Sequence, residues 1–219
     1  MSYLSFDVGI KNLAFCKLNP DKHIEDWGII NLNDNPQCCS HLRKRCDKQS
    51  SCVYKDDNGE LQYYCTAHSK QAPKKCKKLN TNNDILELSK KCVSQLRNLN
   101  LDNVKYVLIE NQPALKNPVM KSVQMIIYTF FVMDGVLNPS SSIEKIHMVN
   151  ARNKLKVYKG EPVECNKKTK YDRNKFLSIV YTNKMIHLED EIFKKMFEES
   201  KKKDDLADAY LQGIYWIEK

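Results

Sequence analysis

The sequence predicts an α/β protein in which a mixed sheet carries helices on its faces. Strand-like apolar runs and helix-like periodic runs follow one another in the order strands, helix, strand, helix, strand, helix, helix. One segment of different composition, residues 36–78, interrupts this order and is rich in cysteine and lysine. We therefore expect one domain built from residues 1–35 and 79–219, with residues 36–78 inserted into it.

The predicted strands are short and are separated by turn residues. The first alternates between apolar and polar residues and ends at Gly9, as a strand that runs into a tight turn would. The run VKYVLIE is apolar throughout, which is typical of a buried central strand. The first three strands are expected to form an antiparallel meander. The predicted strands are 2–9, 12–18, 24–32, 104–110 and 143–149.

The predicted helices differ in how their apolar residues are arranged. The last helix has one apolar stripe, whereas the helix over 117–137 is apolar on more than one face. Such a helix is either buried within the monomer or shared with a partner subunit. One side of it would present Val123, Ile126, Ile127, Phe130 and Phe131. The predicted helices are 85–99, 117–137, 171–184 and 203–217.

Composition and charge limit the classes of partner. The chain has 36 Lys and Arg against 27 Asp and Glu, a net charge of +9, which favours a polyanion such as a nucleic acid. No stretch approaches the ~20 apolar residues of a membrane span, and the first residues do not resemble a secretory signal. We expect an intracellular protein without a membrane partner. Cytoplasm (including a viral factory), nucleus and mitochondrion are not distinguished.

Four carboxylates follow a pattern that suggests a metal site. Asp7 and Glu110 stand at the ends of predicted strands, and Asp205 and Asp208 lie three residues apart on the last helix, and so on one face. Rigid elements that bring such oxygen ligands together suit hard divalent cations. Taken singly, Asp7 could start a turn, Glu110 could lie on the surface, and the helix acids could complement the helix dipole.

Three motifs that contain these acids resemble those of RuvC-like Holliday junction resolvases, which have the RNase H fold. They are FDVGIKNLAF, VLIENQP and KKDDLADAYLQG, and they are most similar to the poxviral, iridoviral and fungal mitochondrial branch. The resemblance implies a homodimeric endonuclease that nicks branched DNA symmetrically and leaves 5′-phosphate and 3′-hydroxyl ends. It implies that two Mg²⁺ ions are held by Asp7, Glu110, Asp205 and Asp208.

The same resemblance implies a basic residue near the scissile phosphate, on the helix that precedes the last one. Lys175 is the candidate, with Lys170 and Arg173 as alternatives. We expect DNA contacts from Lys170, Arg173, Lys202 and Lys203. Asp204 is an additional acid of the last motif and is left out of the predicted site.

The inserted segment contains six of the nine cysteines, which in a reducing compartment favours a metal over disulfides. Cys65 and His68 have the C-x2-H spacing, and Cys39 and Cys46 could complete a closed structural Zn²⁺ site. The alternative is a basic loop that merely contains reduced thiols. The rival ligands are Cys38, His41, Cys52 and Cys76. The basic residues that suggest DNA contact are Arg43, Lys44, Arg45, Lys74, Lys75, Lys77 and Lys78.

Other classes of function account for less of the sequence. An actin-like ATPase begins with a similar strand and turn but needs Gly-rich phosphate loops, whereas the six glycines here are isolated. A non-catalytic zinc-containing DNA-binding protein would explain the charge and the cysteines but not the four acids. An RNA–DNA hybrid nuclease or a transposase-like enzyme shares the chemistry of the acids, and remains the alternative within nucleases.

Overall fold

The computed structural model describes residues 1–32, 36–39, 46–79, 84–115 and 117–219. The chain divides into two compact units. The first contains Met1–Leu32 and Ser89–Lys219, and the second contains Asn33–Leu88. The second unit is therefore wider than the predicted insertion over 36–78.

The first unit is built on a five-stranded mixed sheet with the order β3-β2-β1-β7-β8. Strands β1, β2 and β3 form the antiparallel meander that the sequence predicts, while β7 and β8 run parallel to β1. The strands are β1 (Ser2–Asp7), β2 (Asn12–Leu18), β3 (Ile24–Asn31), β7 (Val104–Glu110) and β8 (Lys145–Val149).

The described residues form five α-helices, and a mixed sheet with helices agrees with the predicted fold class. Four of them match predicted helices, and α4, which is only nine residues long, was not predicted. Two 3₁₀ segments, Ala151–Val157 and Ile186–Leu188, join the later elements. The helices are α1 (Ile85–Leu96), α2 (Pro118–Phe130, continued as a π-helical segment over Phe131–Val136), α3 (Lys170–Met185), α4 (Glu191–Glu199) and α5 (Lys203–Ile217).

The position of α5 is set by close packing on one face of the sheet. A Cβ atom on Gly213 would lie 2.5 Å from the Cδ1 atom of Leu18, so any larger residue would force the Leu18 side chain or the helix to shift. Near the other end of α5, the Trp27 indole donates a hydrogen bond of 3.1 Å to the Leu206 carbonyl and stacks on Phe197 of α4. These contacts hold the first turns of α5, which carry its acidic residues, against the meander.

Helix α2 packs on the opposite face, where Phe131 lies 5.6 Å from Phe6 between ring centroids. The helix that runs from Pro118 to Val136 is 19 residues long and has a mean hydropathy of 1.3, so by length and composition alone it could cross a membrane. The expectation that no stretch approaches this length is therefore wrong. One such helix is weak support for a membrane span, since core helices of soluble proteins have the same properties.

The second unit contains a three-stranded antiparallel sheet with the order β5-β4-β6. These strands, β4 (Cys52–Lys55), β5 (Leu61–Tyr64) and β6 (Lys77–Lys78), were not predicted, because they are too short to show a clear alternation. The β4–β5 hairpin turns at Gly59, whose φ of 87° favours glycine. A short 3₁₀ helix, Ser69–Gln71, follows β5.

Candidate active site and candidate metal centre

Two of the predicted carboxylates meet because their strands are parallel neighbours. Phe6 pairs with Ile109 across β1 and β7, so Asp7 and Glu110 both lie at the carboxyl edge of the sheet. Both side chains line the same cleft. Burial raises the pKa of Asp7 well above its ordinary value, and the neighbouring charges of Glu110 and Asp208 raise it further. The site thus concentrates negative charge that requires a cation or a proton.

Helix α5 brings the other two carboxylates to the same edge. Burial is the main cause that raises the pKa of Asp208, and Glu110 adds to it. The Oδ1 atom of Asp208 is buried and has no hydrogen-bond partner among the described residues. Asp205 lies one turn earlier and lines the same cleft, and its pKa is raised by burial and then by Asp204. An unpartnered carboxylate oxygen beside two further acids fits a metal-ion ligand.

One residue of this cluster was missed by the sequence analysis. Lys154, on the 3₁₀ segment after β8, forms a salt bridge with Asp208. Although burial opposes its charge, the carboxylates of Asp208, Asp7 and Glu110 raise the pKa of Lys154 above its ordinary value. Lys154 reaches the acids because β8 is parallel to β7, so the residues after Val149 emerge near Glu110, and this long-range pairing gives no local signal in the sequence. Residue type alone did not distinguish Lys154 among 36 basic residues.

The predicted basic residue, Lys175, lies on the wall of the cleft and not at its centre. Its ammonium forms a salt bridge with Asp204 and lies 5.0 Å from the centroid of the Tyr171 ring. The hydrogen bond with Asp204 is the first cause that raises the pKa of Lys175. Lys175 is carried by α3, and α4 stands between α3 and α5, so it is not on the helix directly before the last. Asp204 is thereby paired with a lysine outside the acidic cluster.

The remaining predicted DNA contacts take different positions around the same helices. Lys202 is exposed and lines the cleft next to Asp205. Lys170 and Arg173 are exposed on the first turn of α3, and Lys203 is half-buried at the start of α5. All four lie on elements that border the cleft, which has an open volume of about 580 Å³. Basic and hydrogen-bonding side chains thus surround the acids on the walls of the cleft.

Glutamine side chains fix the backbone around the acids. The Gln112 amide donates hydrogen bonds to Glu110 Oε2 at 2.7 Å and to the Val8 carbonyl at 3.3 Å. On α5, the buried Gln212 amide donates to Ser5 Oγ and to the Phe6 carbonyl, each at 3.1 Å. A Cβ atom on Gly9 would lie 2.2 Å from the Asn12 carbonyl oxygen, so the turn after Asp7 requires glycine. The carboxylates are therefore held by rigid neighbours.

The second unit brings three cysteines and one histidine together. The ligand atoms of Cys38, Cys46, Cys65 and His68 all lie within 4.8 Å of one another. Cys65 and His68 are joined by a tight turn, in which the backbone N–H of His68 donates to the Cys65 carbonyl at 3.1 Å. Burial raises the pKa of Cys65, but hydrogen bonds from the His68 backbone and the Cys38 thiol hold it below its ordinary value. These groups form a candidate metal centre.

The predicted ligand set is corrected at one position, since Cys38 and not Cys39 belongs to this cluster. Residues 36–38 pair with 48–50, and the Cys38 backbone N–H donates to the Lys48 carbonyl, while that of Cys39 donates to the Tyr63 carbonyl. Adjacent residues of an extended segment point to opposite sides. Cys38 is consequently buried with the other thiols, whereas Cys39 is only half-buried. The rival ligand His41 and the basic run Arg43, Lys44 and Arg45 lie outside the described residues.

The distances within the cluster suit a small tetrahedral ion. Nδ1 of His68 lies 3.6 Å from the sulfur of Cys38 and 3.5 Å from that of Cys65. Zn–S bonds of about 2.3 Å and Zn–N bonds of about 2.0–2.1 Å place tetrahedral ligands roughly 3.5–3.8 Å apart. The donor set of three sulfurs and one nitrogen is one that Zn²⁺ prefers.

A mixed sheet flanked by helices, with carboxylates gathered at one edge, defines a protein of the RNase H-like class. A model of the family described as mitochondrial resolvase Ydc2 / RNA splicing MRS1 matches residues 3–114, just over half of the chain. The chain belongs to this family. The matched range includes Asp7 and Glu110 and ends before α5.

Three individual proteins are similar to this chain. An uncharacterised protein of Acanthamoeba polyphaga mimivirus is 31% identical over 243 residues, which cover 95% of this chain and 57% of that protein. The crystal structure of the yeast mitochondrial Holliday junction resolvase Ydc2 is similar with a TM-score of 0.52 at 14% identity, covering 98% of this chain and 78% of the other. The fowlpox virus resolvase, in complex with Holliday junction DNA, is similar at 17% identity with a TM-score of 0.47, covering 100% and 97%.

The chain thus spans just over half the length of the mimivirus protein. At 14% identity, the likeness to the yeast resolvase supports the fold and not the substrate. The similarity to the fowlpox virus resolvase has a TM-score below 0.5 and is not used to assign the fold or the function.

Proposed function

We propose that this chain is a divalent-metal-dependent DNA endonuclease that resolves four-way junctions by paired nicks. One observation carries the proposal: Asp7, Glu110 and Asp208 meet at the carboxyl edge of the sheet, with Asp205 one helical turn away on the same cleft. The family description includes both a resolvase and an RNA splicing protein. A complete set of carboxylates favours the nuclease, because binding of RNA alone does not require such acids.

The acids would hold two Mg²⁺ ions, for which the buried and unpartnered Oδ1 atom of Asp208 is a suitable ligand. Such ions, when bound, activate water and stabilise the leaving oxygen of a phosphodiester. The chain's own contribution is to present the carboxylates without reorganisation, since Gln112 orients Glu110 and packing fixes α5. Cleavage of this kind would leave a 5′-phosphate and a 3′-hydroxyl.

Lys154 and Lys175 would have different roles in this cleft. Lys154 lies among the acids, where its ammonium can neutralise them or turn to a phosphate oxygen of the substrate. Lys175 and Lys202 would contact the phosphate backbone from the walls of the cleft, and Lys170, Arg173 and Lys203 would contact it from beside the cleft. We therefore assign the basic residue of the active site to Lys154 in place of Lys175.

We propose a structural Zn²⁺ ion at Cys38, Cys46, Cys65 and His68. A small three-stranded sheet has too little apolar core to fold without an additional constraint, and the partly buried hydrophobic residue packed on the thiols is Tyr64. A closed site of four protein ligands leaves no position for substrate. The ion would thus stabilise the second unit and take no part in cleavage.

We also propose that the active species is a homodimer. A four-way junction has two equivalent scissile strands, so two matched nicks require two active sites, which a two-fold symmetric dimer supplies. Helix α2 buries Val123, Ile127 and Phe130 against the sheet but leaves further apolar side chains exposed. These exposed residues are Met125, Met133 and Val136 on the helix and Leu137 directly after it, with 42%, 62%, 44% and 71% of their surface accessible.

We propose an intracellular location, which the free thiols and the positive net charge suit. Cytoplasm, nucleus and mitochondrion are not distinguished. The test of function is incubation of the protein with Mg²⁺ and, separately, a four-way junction, a plain duplex or an RNA–DNA hybrid. We expect paired symmetric nicks in the junction and little cleavage of the other two. Efficient cleavage of the hybrid alone would identify a ribonuclease, and no cleavage of any substrate would favour a non-catalytic DNA-binding protein.

A further inference from the structure

Two open pockets adjoin each other in the second unit, and they share Thr66. One has a volume of about 590 Å³ and the other about 430 Å³. Thr66 belongs to the turn from Cys65 to Ser69, which links two residues of the candidate metal centre to the 3₁₀ helix. The turn is therefore the common floor of both pockets, and its shape depends on that centre.

Both pockets are basic. Lys48 and Lys70 line the first, and Lys75 and Lys78 line the second. All four lysines are exposed. No carboxylate is found among the described residues that line either pocket. Four lysines without a neighbouring acid produce a positive potential that attracts an anion.

Three acids of the second unit, Asp56, Asp57 and Glu60, lie in the turn of the β4–β5 hairpin and do not line the pockets. At the tip of the β4–β5 hairpin, Asp56 accepts hydrogen bonds from the backbone N–H groups of Asn58 at 3.0 Å and Glu60 at 2.8 Å. Asp57, in the same turn, is salt-bridged to Lys74. Asp47 precedes Lys48 in the chain but does not line either pocket. In the part of this unit that the structure describes, these three acids lie at the hairpin tip, and the lysines around the Cys65–Ser69 turn have no salt bridge to a carboxylate.

Hydroxyl groups complete the polar lining. The hydroxyls of Ser51 and Thr66 lie 3.0 Å apart, and the Ser69 hydroxyl donates to the Thr66 carbonyl at 2.9 Å. Lysine and hydroxyl side chains are the groups with which proteins contact DNA phosphates and sugars. The adjoining open pockets suit an extended chain of phosphates better than a small enclosed ligand.

We infer that the Cys65–Ser69 turn and the lysines around it, Lys48, Lys70, Lys75 and Lys78, form a second DNA-backbone binding site. This inference rests on the proposed function for the choice of DNA as the polyanion. The site recognises phosphates without reading the base sequence, because its polar groups are flexible cations and hydroxyls. It is separate from the contacts proposed for Lys170, Arg173, Lys202 and Lys203.

The register of the small sheet supplies a matched control. Cys52 is paired with Lys78 and Val53 with Lys77, so Lys78 and Lys77 point to opposite faces. Lys55 faces the same way as Val53, and Lys74 is bound to Asp57. The sequence suggested DNA contact for Lys74 and Lys77 as well, but neither of them lines a pocket, so the inferred site excludes both. The control variant removes three charges from the same unit but none from the pockets. The test variant is Lys70→Ala, Lys75→Ala and Lys78→Ala, and the control is Lys55→Ala, Lys74→Ala and Lys77→Ala.

The experiment measures affinity for a fluorescent four-way junction by anisotropy, at several salt concentrations and without divalent cations. The test variant should bind at least about tenfold more weakly at low salt, and the slope of log K against log [salt] should become shallower by about two to three units. The control variant should change both quantities much less. An equal loss of junction affinity in the two variants, or no loss in the test variant, would overturn the inference.

A second measurement uses the unaltered protein and so does not depend on folding of the variants. Acetylation of lysines is compared with and without bound junction, and Lys70, Lys75 and Lys78 should be protected more than Lys55 and Lys77. Equal protection of both groups contradicts the inference. Failure of the proposed function would be recognised separately, as a protein that protects these lysines on DNA but does not cleave a junction with Mg²⁺.

Discussion

The ammonium of Lys154 is salt-bridged to the Asp208 carboxylate at the centre of the acidic cluster, whereas Lys175 is salt-bridged to Asp204 on the wall of the cleft. The two lysines therefore differ in the acids that they can neutralise. The charge of Lys154 acts on Asp7, Glu110 and Asp208 together, because it lies among all three.

The first prediction concerns these two lysines. We expect Lys154→Ala to lower kcat for junction cleavage by about 10²-fold or more, the magnitude typical for loss of a charge-stabilising group. Lys175→Ala should weaken binding and leave kcat within about tenfold of the unaltered enzyme. Single-turnover kinetics at saturating protein measure both. The reverse pattern would restore Lys175 as the basic residue of the active site.

The second prediction concerns the acids. Asp7→Asn, Glu110→Gln, Asp205→Asn and Asp208→Asn should each abolish cleavage, because they preserve size but remove the charge that holds a divalent cation. Asp204→Asn is the matched control, since Asp204 is paired with Lys175 and should affect cleavage far less. Junction nicking in Mg²⁺ is the measurement. Loss of activity in Asp204→Asn with near-normal cleavage by Asp205→Asn would exchange their roles.

The third prediction is that Asp7→Asn stabilises the metal-free protein at pH 7. The pKa of Asp7 is raised on folding by burial and by Glu110 and Asp208. Its charge therefore lowers stability as pH rises above the unfolded pKa of about 3.9. In EDTA, the variant should melt roughly 2–4 °C higher, the shift that 1 kcal/mol makes in a chain of this size.

This difference should shrink as the pH falls below about 4, where Asp7 is protonated in both states. Adding Mg²⁺ should stabilise the unaltered protein more than the variant, because the ion binds only the complete set of ligands. Thermal unfolding followed by circular dichroism in EDTA and in Mg²⁺ tests both statements. A variant that melts lower in EDTA at pH 7 would show that the Asp7 charge is compensated without metal.

The fourth prediction separates two adjacent cysteines. Cys38→Ser should release the zinc and unfold the second unit, since the remaining ligands do not close a tetrahedral site. Cys39→Ser should keep one zinc per chain, because Cys39 lies outside the cluster. Metal analysis of protein purified without chelators decides the matter. Retention of zinc by Cys38→Ser with loss in Cys39→Ser would reverse the assignment.

The fifth prediction is a dimer through α2. Light scattering at micromolar protein should show twice the chain mass, and Met133→Glu should reduce it because Met133 is 62% exposed on that helix. An exposed position outside α2, such as Leu188→Glu, serves as the control. A monomer that still nicks both strands with and without junction DNA would exclude the dimer.

The sequence alone was enough to predict the order of the five strands of the large sheet and of four helices, together with the acids in the cleft, but not α4 or the small strands β4, β5 and β6. Asp7 and Glu110 terminate apolar runs that are recognisable as strands, and Asp205 and Asp208 share a helical face because of the 3.6-residue period. These patterns depend only on residues that are close in the sequence, so they can be recognised without the tertiary structure. The same holds for Cys65 and His68, whose spacing is that of one turn.

Only the tertiary structure decided the partners that come from distant segments. Lys154 forms a salt bridge with Asp208 because β8 is parallel to β7, so the segment after β8 begins beside Glu110. The pairing of β7 with β8 is not visible in the local sequence pattern. Cys38 is chosen over Cys39 by the direction in which an extended segment turns its side chains once it pairs with residues 48–50. Long-range pairing fixes which face each residue presents, and adjacent residues of like chemistry cannot be told apart before that pairing is known.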